Sequence, residues 1–244
     1  VGYLERAGYR FVSTNVLRHV RPAGVAWLRE LRPHISYRSY WGYDGFQQTR
    51  VLHVDSHIEL ANGAFFSPAF NFTREGLQAP FGIAPLVTVP PGTYDNVEAA
   101  WRYNTNESAP ISLNGALDWG GFLSGTRRGI TNTLTVRQGA SFASSLRVSH
   151  NEVDLDEGSF QTTLIAGRLA YNFTPRMYLQ SLVQYNSQAR TWSGNVRYGW
   201  LNTAGTGLFI VYNESRVADR WFEVEGPLGR AVIVKFTRQF NLIL

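Results

Sequence analysis

Apolar and polar residues alternate along the chain with a period of two, most clearly between residues 177 and 200. Two ten-residue segments lie there, MYLQSLVQYN and TWSGNVRYGW, joined by SQAR. Because successive side chains of a strand point to opposite faces, each segment predicts a strand with one apolar and one mostly polar face. The apolar face of the second segment begins with Trp192 and ends with Trp200. Apolar residues toward lipid, polar residues inward and aromatic residues at both interfaces are typical of a transmembrane β-barrel.

The same alternation, interrupted by turn-forming residues, divides the whole chain into strands. A strand of about ten residues, tilted by about 45°, spans the apolar band of an outer membrane. We therefore predict an all-β fold, an antiparallel transmembrane (outer-membrane) β-barrel, with residues 1–244 as one domain of about 13–14 visible strands. The thirteen strands counted span residues 9–20, 26–40, 46–60, 64–74, 94–104, 110–119, 126–137, 140–151, 160–173, 176–187, 191–202, 206–214 and 230–242.

The connections between these strands are expected to alternate between short and longer ones, as periplasmic turns and external loops do in such barrels. The short set lies at residues 21–24, 62–63, 106–109, 138–139, 174–175 and 202–205. The longer set lies at residues 42–45, 75–93, 120–125, 152–159, 187–190 and 215–229. Since single-chain bacterial barrels have an even number of strands, we expect at least one more strand before Val1 or from a partner chain. We therefore expect the chain to be the C-terminal part of a larger barrel, or its partner strands to come from elsewhere.

Six tryptophans are expected at the ends of predicted strands, where aromatic belts meet the two membrane interfaces. Beside the short connections lie Trp27, Trp101 and Trp200, and beside the longer ones lie Trp41, Trp119 and Trp192. The alternative is a soluble β-sandwich whose strands simply end in tryptophan.

Composition narrows these interpretations. No apolar run reaches the roughly 18 residues of a membrane-spanning helix. The chain has no cysteine, so no disulfide framework is expected. Its net charge is +5, but the arginines are spread singly, so nucleic acid is not an expected partner. The expected surroundings are the outer membrane of a Gram-negative-type bacterium, with its lipid and lipopolysaccharide.

The densest polar cluster lies in the segment HVDSHIEL. His53, Asp55, His57 and Glu59 share one predicted face of a strand. Residues i and i+2 on a strand are about 6.6 Å apart, so His53–Asp55 and Asp55–His57 pairs can form hydrogen bonds or share a metal. His53 and His57 are about 13 Å apart, too far to bind one ion without bending. The favoured interpretation is a hydrated lumen wall, with no cofactor and no metal, and the alternative is a metal or acid–base site.

Five arginines fall on rows that are predicted to face the lumen, together with Glu98, Asp118 and Asn195. These arginines are Arg102, Arg137, Arg147, Arg168 and Arg197. A basic lumen wall favours anionic solutes. The alternative is a structural network of arginines and carboxylates that fills the interior.

Three further segments offer candidate sites. Asp154, Asp156 and Glu157 could bind Ca²⁺, although their spacing is not that of an EF-hand and a solvated acidic loop is favoured. The apolar, proline-rich loop 75–93 is expected either to fold into the lumen as a constriction or to pack on the rim. Three aromatic residues could stack on sugars: Trp221, Phe222 and Tyr94. The favoured alternative is that they pack in aromatic belts or loops.

Several segments carry a family resemblance: RMYLQSLVQYNSQARTWSGNVRYGW, LFIVYNESR, RAVIVKFTRQFNL, VGYLERAGYRF, VTVPPGTYD and HNEVDLDEGSF. They resemble the C-terminal barrel of an uncharacterised outer-membrane family whose longer members carry an N-terminal carbohydrate-binding-module-like domain of the family 9 type. The resemblance implies an outer-membrane barrel and possible glycan handling. The amphipathic end of the chain fits a barrel assembly signal, except that Arg238 interrupts the apolar face and the last residue is Leu244.

No fingerprint of a serine hydrolase, zinc protease, P-loop or dinucleotide-binding enzyme occurs, so no catalytic residue is expected. We expect passage or capture of polar solutes, with glycan-derived ones among the candidates, and other membrane-complex subunits or an N-terminal half as further partners. A second hypothesis is a plugged surface-binding or structural scaffold. A third is a hydrolase in the barrel wall that depends on His53 or His57.

Overall fold

The computed structural model describes residues 8–202, 205–218 and 224–239, which form β-strands and turns. This part of the chain contains no helix that is long and apolar enough to span a membrane. The strands are β1 (Tyr9–Leu17), β2 (Leu28–Gly42), β3 (Gln47–Leu60), β4 (Phe65–Leu77), β5 (Phe81–Ala84), β6 (Val87–Val89), β7 (Gly92–Asn104), β8 (Ile111–Phe122), β9 (Gly125–Gln138), β10 (Phe142–Leu155), β11 (Gly158–Thr174), β12 (Met177–Asn186), β13 (Thr191–Leu201), β14 (Gly207–Ala218) and β15 (Val224–Thr237).

Thirteen of these strands form one sheet in which each strand is hydrogen-bonded to its neighbours in chain order, with β5 and β6 left out as a separate hairpin. The all-β antiparallel fold and the thirteen predicted strands are therefore confirmed. Within the described residues β1 does not pair with β15, so the sheet is not closed.

The chain divides into two compact units. The first comprises residues 1–107, 114–130 and 151–161, and the second comprises residues 108–113, 131–150 and 162–244. Each unit has a small group of buried apolar residues. In the first, Val87 and Val89 of the β5–β6 hairpin pack with Leu123, Val153 and Leu155. The second group is smaller and contains Ile165, Tyr185 and Ala218.

Cross-strand register maintains the alternation of faces that the sequence predicts. In the β12–β13 hairpin Met177 lies opposite Trp200 and Tyr185 opposite Trp192, so the apolar residues of both strands share a face. The rings of Tyr185 and Trp192 are in contact, with their centroids 5.3 Å apart. We call the side of the sheet that carries Val183 and these aromatic residues the apolar face, and the side that carries Gln184 the polar face.

The hairpin of β5 and β6 covers part of the polar face in the first unit. Val89 is fully buried there, while Leu86 at the tip of the hairpin is fully exposed. Val153 and Leu155 alternate in β10 with the outward residues Glu152 and Asp154, so the apolar contacts of the hairpin lie on the polar side of the strands. Of the two predicted positions for the loop 75–93, this packing favours the inward one.

The predicted alternation of short and longer connections is wrong in several places, because the strands extend further than predicted. Residues 120–125 and 152–159 were expected to form loops, but β8, β9, β10 and β11 continue through them and leave the two-residue turns 123–124 and 156–157. Glycine and acidic residues suggest loops, yet they also fit tight hairpins. Gly158, directly after the turn 156–157, has a φ of 141°, a backbone conformation that favours glycine.

The predicted separation of Trp101 and Trp119 into opposite belts is also wrong. Their rings meet edge to face with centroids 4.9 Å apart on the apolar face. Trp119 does not end its strand, because β8 continues to Phe122. The other four tryptophans lie close to strand ends: Trp27 precedes β2, Trp41 lies near the end of β2, and Trp192 and Trp200 lie near the two ends of β13.

Replacement of Gly120 by alanine should destabilise the pairing of β7 with β8. A Cβ atom at Gly120 would lie 2.3 Å from the carbonyl oxygen of Val97, and the residue has a φ of 140°. We expect a loss of about 1–3 kcal/mol in the free energy of unfolding, as for other overpacked sites. Urea unfolding followed by tryptophan fluorescence measures it. Gly194→Ala is the control, since a Cβ there meets no atom within 4 Å; equal midpoints for both variants would contradict the expectation.

Candidate functional site

Three histidines surround one carboxylate on the polar face of β2 and β3. Antiparallel register places His34 of β2 directly opposite Asp55 of β3. His53 and His57 stand two residues before and after Asp55 on the same strand and therefore on the same face. The imidazole rings of His53 and His57 each have their centroid 5.0 Å from the centroid of the His34 ring. We call these four residues the histidine cluster.

The carboxylate of Asp55 is the centre of the cluster. Its side chain is only 3% exposed, and His57 Nε2 lies 2.9 Å from Oδ2. His53 Nε2 lies 3.3 Å from the same oxygen. The hydroxyl of Ser67, on β4, donates a hydrogen bond to Oδ2 at 3.0 Å. A carboxylate buried to this degree is stable only with such partners, because it has lost most of its hydration.

The other carboxylate oxygen has a different environment. Asp55 Oδ1 is in contact with His34 Nδ1. Both atoms are buried, and neither has a hydrogen-bond partner of acceptable geometry in the structure. The side chain of His34 is 12% exposed, against 26% for His53 and 31% for His57. The cluster is thus closed on the His34 side and accessible to solvent from the other two histidines.

Asn71 fixes the orientation of the His53 ring. His53 Nδ1 lies 2.6 Å from Asn71 Oδ1, across the β3–β4 pairing that sets the two residues opposite each other. An amide oxygen only accepts hydrogen bonds, so Nδ1 carries the proton in this contact. In the neutral ring Nε2 then has a free lone pair, and it points at Asp55.

Glu59, the fourth residue predicted for this cluster, has a partner of its own. It forms an ion pair with Arg32, which lies on β2 next to the cluster. The predicted common face of His53, Asp55, His57 and Glu59 is therefore correct, but Glu59 is not among the residues that contact Asp55 directly. His34 was missed by the sequence analysis, although it is the most enclosed histidine of the cluster.

The turn between β2 and β3 and the register shift beside it together bring His34 opposite Asp55. Asp44 accepts hydrogen bonds from the amide of Phe46 at 3.0 Å and from the side chain of Gln78 at 2.9 Å. These donors hold the pKa of the Asp44 carboxyl below its usual value. Gly45, with a φ of 84°, completes the turn, and a register shift follows between Tyr40 and Trp41.

In the first unit two polar-face arginines, Arg102 and Arg127, are paired with acidic residues. Arg102 of β7 reaches Asp118 of β8 at 2.8 Å. Glu98, which the sequence placed on the same row, forms an ion pair with Arg127 of β9. This part of the polar face fits the alternative of a structural arginine–carboxylate network. Arg127 itself was not singled out by the sequence analysis.

In the second unit, Arg137, Arg168 and Arg197 line one cleft of about 440 Å³. Gln180, Asn195 and the hydroxyl residues Thr135, Ser144 and Ser145 line it with them, and none of the described lining residues is acidic. Neither Arg168 nor Arg197 forms a salt bridge within the described part of the chain. Arg147, predicted for the same row, is exposed and does not line this cleft.

The remaining candidates do not form a site among the described residues. Glu157 accepts a hydrogen bond from Ser124, and Asp154, Asp156 and Glu157 do not converge on a common point. The hydroxyl of Tyr94 donates to the carbonyl of Pro90 at 2.8 Å, and its ring packs against the core beneath the β5–β6 hairpin. Trp221 and Phe222 lie outside the described residues.

Comparisons with protein-family models, with curated proteins and with solved structures found no match to this chain. The family resemblance therefore stays a prediction.

Proposed function

We propose that this protein is an outer-membrane β-barrel that takes up or passes polar solutes and prefers anionic ones, such as acidic glycan fragments. The observation that carries the proposal is the cleft in which Arg168 and Arg197 have no acidic partner in the described chain. Passage requires closure of the sheet, so each of the edge strands β1 and β15 must gain a hydrogen-bonded neighbour.

The apolar face supports a membrane environment. Large apolar side chains on it are strongly exposed, with Phe70 and Val97 both at 52% and Val183 at 43%. A soluble protein rarely leaves a wide apolar surface uncovered, and lipid covers such a surface in a barrel.

Charged residues of the apolar face support the same environment by their position along the strands. In β3, β4 and β7 they occur toward the end that adjoins residues 43–46 and 78–91, and in β14 they occur toward its C-terminal end. Two clusters form there. Asp95 pairs with Arg50 at 2.9 Å and with Arg74 at 2.8 Å, while Glu214 pairs with Arg216 at 2.8 Å and with Arg230 at 2.7 Å. A charge costs little near the interface of a bilayer and much at its midplane.

Two neighbouring positions test whether the apolar face contacts lipid. Val183 lies on the apolar face in the middle of β12, and Gln184 lies on the polar face next to it. We expect Val183→Arg to lower the free energy of unfolding in lipid vesicles by about 2–4 kcal/mol, the cost of an arginine in the bilayer core. Gln184→Arg, the matched control, should change it by much less. Urea titration of vesicle-folded protein measures both, and equal losses would count against a lipid-facing surface.

Anion preference follows from the chemistry of the cleft. Two guanidinium groups without acidic partners provide a positive potential, and the nearby amide and hydroxyl groups provide hydrogen bonds for a polar solute. A wall of Arg–carboxylate pairs, as in the first unit, would be closer to neutral. The proposed solute is therefore a carboxylated, sulfated or phosphorylated sugar rather than a neutral one.

Planar-bilayer recordings of the purified protein test passage and selectivity together. We expect stepwise currents with chloride favoured over potassium, and the double variant Arg168→Glu/Arg197→Glu should reverse that preference because it reverses the charge of the cleft. Arg176→Glu, in the turn between β11 and β12, is a control that reverses one charge outside the cleft. It should leave the ion preference unchanged. Silence from correctly folded protein would overturn passage, and unchanged selectivity in the double variant would overturn the role of the cleft.

A second candidate function is a scaffold or binding protein whose interior is blocked. The β5–β6 hairpin favours it, because its buried valines fix a loop against the polar face of the strands. In that case the wild-type protein should carry no ion current as long as the hairpin stays packed against the strands.

The hairpin provides its own test. Val89→Asp places an unpaired charge at a fully buried position and should release the hairpin, since burial of such a charge is strongly unfavourable. Leu86→Asp is the control, because that side chain is fully exposed. If the hairpin blocks the interior, Val89→Asp should become both conducting and sensitive to protease at residues 78–91, and Leu86→Asp should be neither. Protease sensitivity without conductance would show that the hairpin is not the block.

A further inference from the structure

We propose that His34, His53 and Asp55 bind a divalent transition-metal ion such as Zn²⁺, with His57 and Asn71 supporting the ligands. One candidate ligand atom from each of the three residues lies within 4.8 Å of the other two. The site depends only on the β2–β3–β4 part of the sheet, so it stands independently of the proposed transport function.

The donor set selects the class of metal. Two imidazole nitrogens with one carboxylate suit Zn²⁺, Fe²⁺, Co²⁺ or Ni²⁺, whereas Ca²⁺ and Mg²⁺ prefer ligands that are all oxygen. Three protein ligands are fewer than the four of a closed structural zinc site, so a water or solute molecule can take a remaining position. The partly exposed rings of His53 and His57 provide access for the ion from solvent.

The hydrogen-bond pattern favours a positive species at the centre of the cluster. Asn71 holds the proton of His53 on Nδ1, so neutral His53 directs the lone pair of Nε2 at Asp55 Oδ2. Two lone pairs that face each other across 3.3 Å repel unless a cation lies between them or beside them. A bound metal ion meets this requirement, and so does a second proton on His53.

The contact between His34 and Asp55 favours the metal over the proton. Protonation of His53 leaves His34 Nδ1 and Asp55 Oδ1 as they are, buried and without a well-aligned hydrogen bond. Such groups are costly, and in native proteins they point to a missing partner. One ion that draws on both His34 and His53 satisfies both pairs of atoms, while two protonated imidazoles 5.0 Å apart repel each other.

Hydrogen bonds of the kind that orient metal ligands are already in place. Ligating histidines generally donate their other N–H to a carbonyl or carboxylate oxygen, and His53 does so to Asn71. Ligating carboxylates are themselves hydrogen-bonded, and Asp55 accepts from Ser67 and from His57. Arg32 is neutralised by Glu59, so it does not oppose the binding of a cation.

The test is metal binding by the purified protein after removal of metal with a chelator. Titration with Zn²⁺ alone, followed by calorimetry, should show one ion per chain, and Co²⁺ should give the visible absorption bands of a nitrogen- and oxygen-ligated ion. Asn71→Leu should weaken Zn²⁺ binding by about 10- to 100-fold, as loss of an outer partner usually does. His34→Gln and His53→Gln, which remove ligands, should weaken it further. His19→Gln and His150→Gln are the controls, because these histidines pair with Glu30 and Thr163 outside the cluster.

Three outcomes would overturn the site. The first is no stoichiometric binding of Zn²⁺ or Co²⁺ by folded wild-type protein, which would assign the cluster to a protonated histidine–aspartate network. The second is binding that survives His34→Gln and His53→Gln, which would place the ion elsewhere, such as at the acidic turn 156–157. The third is a Co²⁺ spectrum that is identical in wild type and Asn71→Leu with unchanged affinity.

If the histidine variants fail to fold, thermal unfolding decides the question. Zn²⁺ should then raise the unfolding temperature of the wild type more than that of the Asn71→Leu variant. Conductance enters none of these measurements, so this proposal and the transport proposal fail separately.

Discussion

Cross-strand register is the constraint on which the rest of the structure depends. Backbone hydrogen bonds fix which residues face each other, and the two-residue period of a strand then fixes the face of every side chain. A slip of one residue would move His34 to the apolar face and bring Val54 opposite it instead of Asp55. The histidine cluster, the arginine cleft and the exposed apolar surface are all consequences of the same pairing.

The part of this arrangement that is local in sequence could be predicted, and the part that depends on pairing could not. The number of strands follows from the alternation within each successive segment of the chain. The common face of His53, Asp55 and His57 follows from the alternation within a single segment. His34 is different: counting outward from the Trp41–Gln47 pair beside the turn without irregularity places it opposite Val54, on the wrong face. The register shift between Tyr40 and Trp41 corrects the count by one residue. Bulges of this kind carry no clear sequence signal, so the most enclosed histidine of the cluster was missed.

The ends of the strands were predicted least well, for a related reason. Glycine and acidic residues mark loops and tight hairpins alike, and only the hydrogen bonds between strands distinguish the two. Residues 120–125 and 152–159 are therefore mostly strand, and Trp119 lies inside β8 rather than at its end. The contact of Trp119 with Trp101 follows directly, because the diagonal neighbours of an antiparallel pair are within reach of aromatic rings.

The arginines show how identical sequence signals lead to different chemistry. Arg102 and Arg168 occupy equivalent alternating positions in their strands, and no feature of the sequence separates them. An acidic side chain on the neighbouring strand, Asp118, neutralises Arg102, whereas serine, glutamine and asparagine surround Arg168. A paired guanidinium holds neighbouring strands together and contributes little field, while an unpaired one retains its charge for a solute. Function in a strand-built wall is therefore set by what lies across the pairing from each residue, which is the same constraint that assembles the histidine cluster.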